Sequence, residues 1–150
     1  MIRCRLCSNT MMTEILDLGY TPPADQFIIK EQLDEPETSY PLKFVRCDAC
    51  MLLQLSYVVP PGILYRRDYP YESSITQAGC SHFDLFAKSV IEKFDLSNDN
   101  LVLDIGSNVG VLLLGFKNRG CKVLGCEPAE NIAAIANNND ILTMPVFFSP

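Results

Sequence analysis

The sequence predicts an α/β fold in two parts, a small β-rich cysteine-bearing module with a connecting segment over residues 1–72 and part of an open parallel sheet over 73–150. Three observations predict it. Two Cys-x-x-Cys pairs, Cys4/Cys7 and Cys47/Cys50, stand in a proline-rich region that holds seven of the ten prolines between residues 22 and 70. The apolar period changes from that of strands to that of helices after about residue 72. Five of the eight glycines then fall between residues 106 and 125, where an apolar run meets a glycine-bearing loop.

In the first part, Tyr40, Leu42 and Phe44 alternate on one face, as do Leu53, Leu55, Tyr57 and Val59. These runs flank Cys47 to Cys50 and predict a β-hairpin with the cysteine pair at its tip. Glu31, Asp34, Glu35 and Glu37 around Pro36 read as a solvated acidic loop. From residue 80, Phe83, Phe86, Ala87, Val90, Ile91 and Phe94 recur at helical spacing and predict one amphipathic helix. A polar turn, Ser97 to Asn100, precedes Leu101-Val102-Leu103-Asp104-Ile105, a run typical of a strand buried on both faces. A helix to about Arg119 with Gly120 as its stop, then a strand Lys122 to Cys126, complete a βαβ unit. Pro128 marks the next helix start, Ala129, Ile132, Ala133 and Ala136 its apolar face, and Asn137 to Asn139 its end. Ile141 to Phe148 supplies a third strand.

Composition excludes several classes of function. Apolar residues make up 48% and charged residues 20%, the balance of a packed globular chain. A net charge of −6 repels phosphate backbones and anionic lipid, so no nucleic-acid partner is expected. The longest apolar stretch, Val109 to Phe116, is far short of the roughly 18 residues of a membrane span, so no membrane association is expected. Met1-Ile2-Arg3-Cys4-Arg5 carries no apolar leader segment, and the chain reads as cytoplasmic.

In a reducing compartment, paired cysteines more often hold a metal than a disulfide. Each Cys-x-x-Cys turn aims two thiolates at one point, so Cys4, Cys7, Cys47 and Cys50 together predict a tetrahedral four-sulfur site, best suited to zinc. The long separation is tolerable because each doubling of loop length costs only about 0.6 kcal/mol. Such a closed site has a folding role and no open position for substrate. Redox motifs, a disulfide pair, or iron in the same cage are the alternatives. Cys80, Cys121 and Cys126 read as small buried residues, and His82 as a structural histidine.

Asp104-Ile105-Gly106-Ser107-Asn108-Val109-Gly110 follows a strand and opens a helix, where backbone passes close to a nucleotide-like ligand. Asn108 and Val111 occupy the second and third glycine positions of the dinucleotide fingerprint, which weakens a pyrophosphate reading. The Asp-x-Gly-x-x-x-Gly pattern instead resembles the first motif of class I methyltransferases, which bind S-adenosylmethionine. Glu127, at the end of the next strand, is placed to accept both ribose hydroxyls of an adenosine.

Joined to the four-cysteine module, these segments resemble the N-terminal portion of the sugar C-methyltransferases that act on nucleotide-linked 4-keto-deoxyhexoses. The matching segments are Cys4-Arg5-Leu6-Cys7, Leu16-Asp17-Leu18-Gly19, Tyr40-Pro41-Leu42, Cys47 to Cys50 with Leu52 and Gln54, Asp68-Tyr69-Pro70-Tyr71-Glu72-Ser73-Ser74, Leu103 to Asn108 and Gly125-Cys126-Glu127-Pro128-Ala129. The fold this implies is α/β, a small β-rich zinc-binding module followed by the first half of a Rossmann-like class I methyltransferase sheet. The implied cofactors are zinc on Cys4, Cys7, Cys47 and Cys50, and S-adenosylmethionine against Asp104, Gly106, Asn108, Gly110, Glu127, Pro128 and Tyr71. The implied substrate is a nucleotide-linked keto sugar, methylated on carbon after a base removes the proton alpha to the ketone. The family's candidate base lies in a later His/Tyr segment with no match before Pro150, so no catalytic residue is assigned in this sequence. Three positions depart from the pattern. Val109 stands where Asp is usual, removing a polar contact at the glycine loop; Met51 replaces a glycine after the last cysteine, with strain if that position needs positive φ; Asp140 replaces another usual glycine.

A half sheet leaves Leu101 to Ile105 as an apolar, unpaired edge, which predicts self-association through that edge. The competing expectation is a noncatalytic zinc-ribbon interaction module whose hairpin docks a protein and whose half Rossmann domain is vestigial. A nicotinamide-dependent enzyme is a weaker alternative.

Overall fold

The alternating residues around the second cysteine pair fold as a hairpin in the computed structural model, which describes residues 2–65 and 69–149. Strand β2, Tyr40–Cys47, pairs antiparallel with β3, Leu53–Leu55, with Phe44 opposite Leu55, Val45 opposite Gln54 and Arg46 opposite Leu53. The Cys47 N–H donates to Leu52 O and the Met51 N–H to Cys47 O, both at 2.9 Å, so the cysteine pair sits on the tight turn at the tip. Strand β3 is shorter than the alternation predicts, ending at Leu55, although the Ser56 N–H still donates to Lys43 O at 2.9 Å. Beyond the strand, the Tyr57 ring stacks on that of Tyr40 with the centroids 5.9 Å apart.

A third strand, β1 at Met12–Thr21, completes the sheet in the order β1-β2-β3. It pairs antiparallel with β2, with irregularities between Glu14 and Leu16 and between Asp17 and Tyr20, where Gly19 takes φ 77°. Those irregularities break the strict alternation that sequence reading depends on. Little apolar surface is covered in this unit: Cys4, Val45 and Cys47 are its buried apolar residues among those described. The acidic stretch lies on an exposed loop around the 3-10 turn Lys30–Gln32, and the short helix α1, Pro61–Leu64, ends the unit. The chain divides into two compact units, Met1–Leu64 and Tyr65–Pro150.

The second unit begins with the predicted amphipathic helix, α2, Gln77–Phe94. The Thr76 hydroxyl caps it by accepting the Gly79 N–H, and Asp95 closes it at φ 51°. Of the expected apolar face, Ala87 is buried and Val90 and Ile91 pack with Phe116 and Cys121, whereas Phe86 and Phe94 are exposed. Strand β4, Leu101–Ile105, pairs in parallel with β5, Lys122–Cys126, and β5 in parallel with β6, Thr143–Met144. The order is β4-β5-β6, linked by helices α3, Val111–Lys117, and α4, Glu130–Asn138.

Two expectations change. The third strand is two residues long and not the whole of 141–148, since Ile141 turns into the core and Pro145 lacks the N–H a ladder needs. Strand β4 is not buried on both faces: Val102 packs inward, but Leu101, Leu103 and Ile105 are 61%, 42% and 57% exposed. Among the described residues, the core clusters that include α2, α3 and α4 gather on the side of Val102 and Val123, and β4 has a strand neighbour on one edge only. Gly115 lets α3 close onto α2, because a Cβ there would lie 2.8 Å from Ala87 Cβ. Arg119 then grips Asp84 with both guanidinium nitrogens, at 2.6 and 2.8 Å. No described helix is long and apolar enough to cross a membrane.

Candidate functional site

The first site is built by two turns. One carries Cys4 and Cys7 and is fastened where Ser8 N–H donates to Cys4 O; the other is the tip of the β2–β3 hairpin, with Cys47 and Cys50. Gln54, buried on β3, joins them: its side chain accepts the Arg5 N–H and donates to Arg3 O, both at 3.0 Å. The four sulfurs of Cys4, Cys7, Cys47 and Cys50 converge to within 4.8 Å of one another. Cys4 Sγ lies 3.5 Å from Cys50 Sγ and Cys7 Sγ lies 3.6 Å from Cys47 Sγ. A tetrahedron with Zn–S bonds of about 2.3 Å has sulfur–sulfur edges of about 3.8 Å. The donor set therefore fits a zinc ion in both chemistry and size.

The electrostatics of this cluster point the same way. The Cys47 thiol is pulled down to about 6, chiefly by the backbone N–H of Cys50 acting against burial, with Ala49 N–H and the Asn9 amide assisting. The Cys4 thiol is likewise lowered, first by the Cys7 N–H. For Cys50 the Leu52 N–H lowers the thiol, but burial and the neighbouring cysteines outweigh it and push it up to about 12. The Cys7 thiol receives help from Asn9 N–H and Cys50, yet burial, Cys47 and Cys4 raise it on balance. Each turn thus favours one thiolate and resists the second, and a divalent cation lets all four ionise. Sequence reading missed Asn9, whose Nδ2 points at Cys47 Sγ from 3.7 Å, and the tie made by Gln54. A polar residue at an inward position of an alternating strand was the available signal for Gln54.

Met51, after the last cysteine, takes φ 65°, and Asp140 takes φ 60°. Both stand where the resemblance expects glycine, and both are in the left-handed region that favours it.

In the second unit, the chain leaves β4 through a tight turn in which Gly106, Asn108 and Gly110 have φ 78°, 51° and 81°. A Cβ on Gly106 would meet nothing within 4 Å, so this part of the turn borders open space. A Cβ on Gly110 would lie 2.8 Å from Ile141 Cγ2, so Gly110 is required by packing as well as by φ. Val109, in place of the usual Asp, is buried against Ala129 and Ile132. Glu127 is buried, and its two oxygens accept from two backbone groups: Oε2 from Asn108 N–H at 3.0 Å and Oε1 from Ala129 N–H at 2.9 Å. One carboxylate so joins the glycine turn to the head of α4 across Pro128. Burial, and secondarily the charge of Glu127, holds the Asp104 carboxyl above its ordinary range.

The segment Tyr69–Ser73 lies against this turn. Asn108 Oδ1 accepts the Ser73 N–H at 2.8 Å, and Asn108 Nδ2 donates to Tyr71 O at 3.0 Å. Tyr71 is thereby brought beside the turn with its side chain half exposed. Asn131, which sequence reading missed, brackets Tyr69 from α4. Asp68 lies outside the described residues. Cys121 and Cys126 are buried, Cys80 is partly so, and the His82 ring meets Phe83 edge-on.

Residues 4–65 match a protein family described as "Putative zinc binding domain". Over 146 residues, 97% of this chain, the sequence is 32% identical to the C-methyltransferase NovU of Streptomyces niveus, of which the match covers 34%. The chain thus spans about a third of that relative's length. The four converging cysteines belong to the matched segment, and the glycine turn and Glu127 lie in the remainder of the aligned region. Residues 4–65 thus match that zinc-binding domain, and along nearly its whole length the chain is similar to the N-terminal region of a C-methyltransferase.

Proposed function

We propose that this chain carries the zinc-stabilised module and the S-adenosylmethionine-binding half of a cytoplasmic, Rossmann-like C-methyltransferase of nucleotide-linked keto-deoxy sugars. The observation that supports this most is Glu127, a buried carboxylate at the carboxyl end of β5 that ties the glycine turn to α4. Ligands of open parallel sheets bind at the carboxyl ends of the strands. Each Glu127 oxygen spends one of its lone pairs on a backbone N–H, which leaves acceptor capacity for ribose hydroxyls. Asp104 adds a second carboxylate beside it, a pairing suited to a ligand with cationic groups and ill suited to a pyrophosphate. Gly106 leaves room for close approach of the ligand, and Gly110, Pro128 and Tyr71 shape its surroundings.

S-adenosylmethionine, when bound, supplies the electrophilic methyl group. The residues of this chain bind and orient; the base that removes the sugar's alpha proton is not among them. Zinc on Cys4, Cys7, Cys47 and Cys50 holds the first module in shape and takes no part in methyl transfer. The exposed β4 edge and the apolar Leu101, Leu103 and Ile105 make this chain prone to pair with a second copy.

One observation favours the alternative of a noncatalytic zinc-ribbon interaction module with a vestigial half sheet: Ile15, Leu16, Leu18 and Tyr20 of β1 are all exposed. Native mass spectrometry separates the two readings. The cofactor reading expects one zinc per chain and retained S-adenosylmethionine, lost in Glu127→Ala while zinc stays, with dimers beside monomers. A zinc-loaded chain that takes up no S-adenosylmethionine at millimolar concentration overturns it in favour of the module.

A further inference from the structure

We propose that Asn108 and Asn131 are positioning residues, two side-chain clamps that hold Tyr69–Ser73 as a fixed wall of the cofactor cleft and thereby set affinity for an adenosyl ligand. The proposal deepens the cofactor reading above and rests on it. Residues 69–73 belong to no helix or strand, so their backbone groups need partners from elsewhere. Two asparagine amides supply them. Asn131 Oδ1 accepts the Tyr69 N–H at 3.2 Å while its Nδ2 donates to Tyr69 O at 2.8 Å, satisfying both main-chain groups of one residue. Asn108 does the same across two residues, taking the Ser73 N–H and giving to Tyr71 O.

The positions of the two asparagines are otherwise unfavourable. Asn131 lies in the first turn of α4, where its side chain caps nothing and its helix propensity is poor. Asn108 stands at φ 51°, a conformation glycine would take with less strain. Each is explained by what its amide holds. Between the clamps, Tyr69 packs on Val109, Ala129 and Ile132, and Pro70 restricts the backbone further.

The clamps are also wired to the proposed ligand site. The Asn108 N–H is held by Glu127 Oε2, the carboxylate assigned to the ribose, and Asn131 rides on the helix whose head Glu127 also caps. A ligand seated on Glu127 and the turn therefore meets a wall whose ordering cost has been met before binding, the condition that raises affinity without a new contact. The Tyr71 ring is the part of this wall left half exposed, with its carbonyl fixed and its side chain available.

Asn108→Gly removes one clamp and keeps the left-handed backbone; Asn131→Ala removes the other and suits a helix. Asn108→Asp keeps the acceptor for Ser73 and loses the donor to Tyr71. The full chain, loaded with zinc, is titrated calorimetrically with S-adenosylhomocysteine, and amide exchange is followed at Tyr69 and Ser73. Each single removal is expected to weaken binding by on the order of fivefold to tenfold, since a hydrogen bond contributes about 1 kcal/mol. Asn108→Asp is expected between the unmodified chain and Asn108→Gly. Exchange should quicken at Tyr69 and Ser73 while β4 and β5 amides keep their protection, a pattern that general destabilisation does not give. Unchanged affinity in the double variant, or unchanged exchange at both amides, overturns the proposal. No uptake by the unmodified chain overturns the cofactor reading and the affinity claim together, and exchange then decides separately whether the clamps exist.

Discussion

The two units of this chain are fastened by different physics. Among the described residues of Met1–Leu64 the buried apolar ones are Cys4, Val45 and Cys47, all but Val45 sulfur donors, and nearly all of β1 is exposed. Among the described residues of Tyr65–Pro150 eleven apolar residues are buried, nine of them in three clusters, two of which pack on Val102 and Val123 of the parallel sheet. A unit of about sixty residues with so small a core needs a staple, whereas a three-stranded parallel sheet packed with helices does not. Metal coordination is therefore the fold of the first unit, and apolar burial is the fold of the second.

Metal removal breaks this comparison most sharply. With zinc chelated the four crowded sulfur groups lose the cation that offsets their charge, and with Cys47→Ser the cation loses one of its four sulfur ligands; in either case the first unit should lose its sheet cooperatively. The second unit should keep its amide protection. Hydrogen exchange read separately over 2–64 and 69–149 checks this; joint collapse of both segments would show that the second unit depends on the metal as well.

A smaller effect is expected from one substitution made in each unit. Gly19 and Gly110 both have positive φ, 77° and 81°. A Cβ on Gly19 meets nothing within 4 Å, while one on Gly110 lies 2.8 Å from Ile141 Cγ2. Gly19→Ala should cost only backbone strain, about 1 kcal/mol. Gly110→Ala adds overpacking against a buried isoleucine and should cost about 2–4 kcal/mol. Urea unfolding of the zinc-loaded chain measures both; equal costs would mean that Ile141 yields easily and the second core is looser than its burial implies.

Features whose chemistry demands fixed residue types at fixed spacing are legible in the amino-acid sequence alone. Cys4, Cys7, Cys47 and Cys50 converge as their pairing predicts, and the turn after β4 has the left-handed positions its glycines announce. Glycine positions inferred from the resemblance are legible too, since Met51 and Asp140 both adopt positive φ. Strand β1 is not, because its irregular pairing around Leu16 and Gly19 destroys the period of two. The expected double-sided burial of β4 fails for another reason: an apolar run reports what a strand is suited to, not what covers it, and Leu103 is 42% exposed. The asparagine clamps are illegible because Asn131 and Tyr69 are 62 residues apart and neither belongs to a periodic pattern.

The smallest expected effect concerns the second unit's charge. Burial, with Glu127 as a lesser cause, raises the Asp104 carboxyl above its ordinary value of 3.8. A carboxyl raised on folding stabilises the fold fully below its unfolded value and loses that contribution as pH rises through the folded value. Ionised Asp104 therefore opposes folding at neutral pH. Asp84 behaves oppositely, since Arg119 lowers it and its contribution is lost as pH falls, so the unmodified chain's pH profile mixes both signs. The difference between Asp104→Asn and the unmodified chain isolates the first. The variant should be the more stable above the raised Asp104 value, and the gap should close on acidification to below about 3.8. If Asp104 faces a cationic ligand group, the same variant should bind S-adenosylhomocysteine more weakly at neutral pH. A gain in stability paired with a loss of affinity is the mark of a charge kept for binding at the expense of the fold. A gain without that loss would leave Asp104 as an unfavourable buried charge and move the cofactor's cationic end elsewhere.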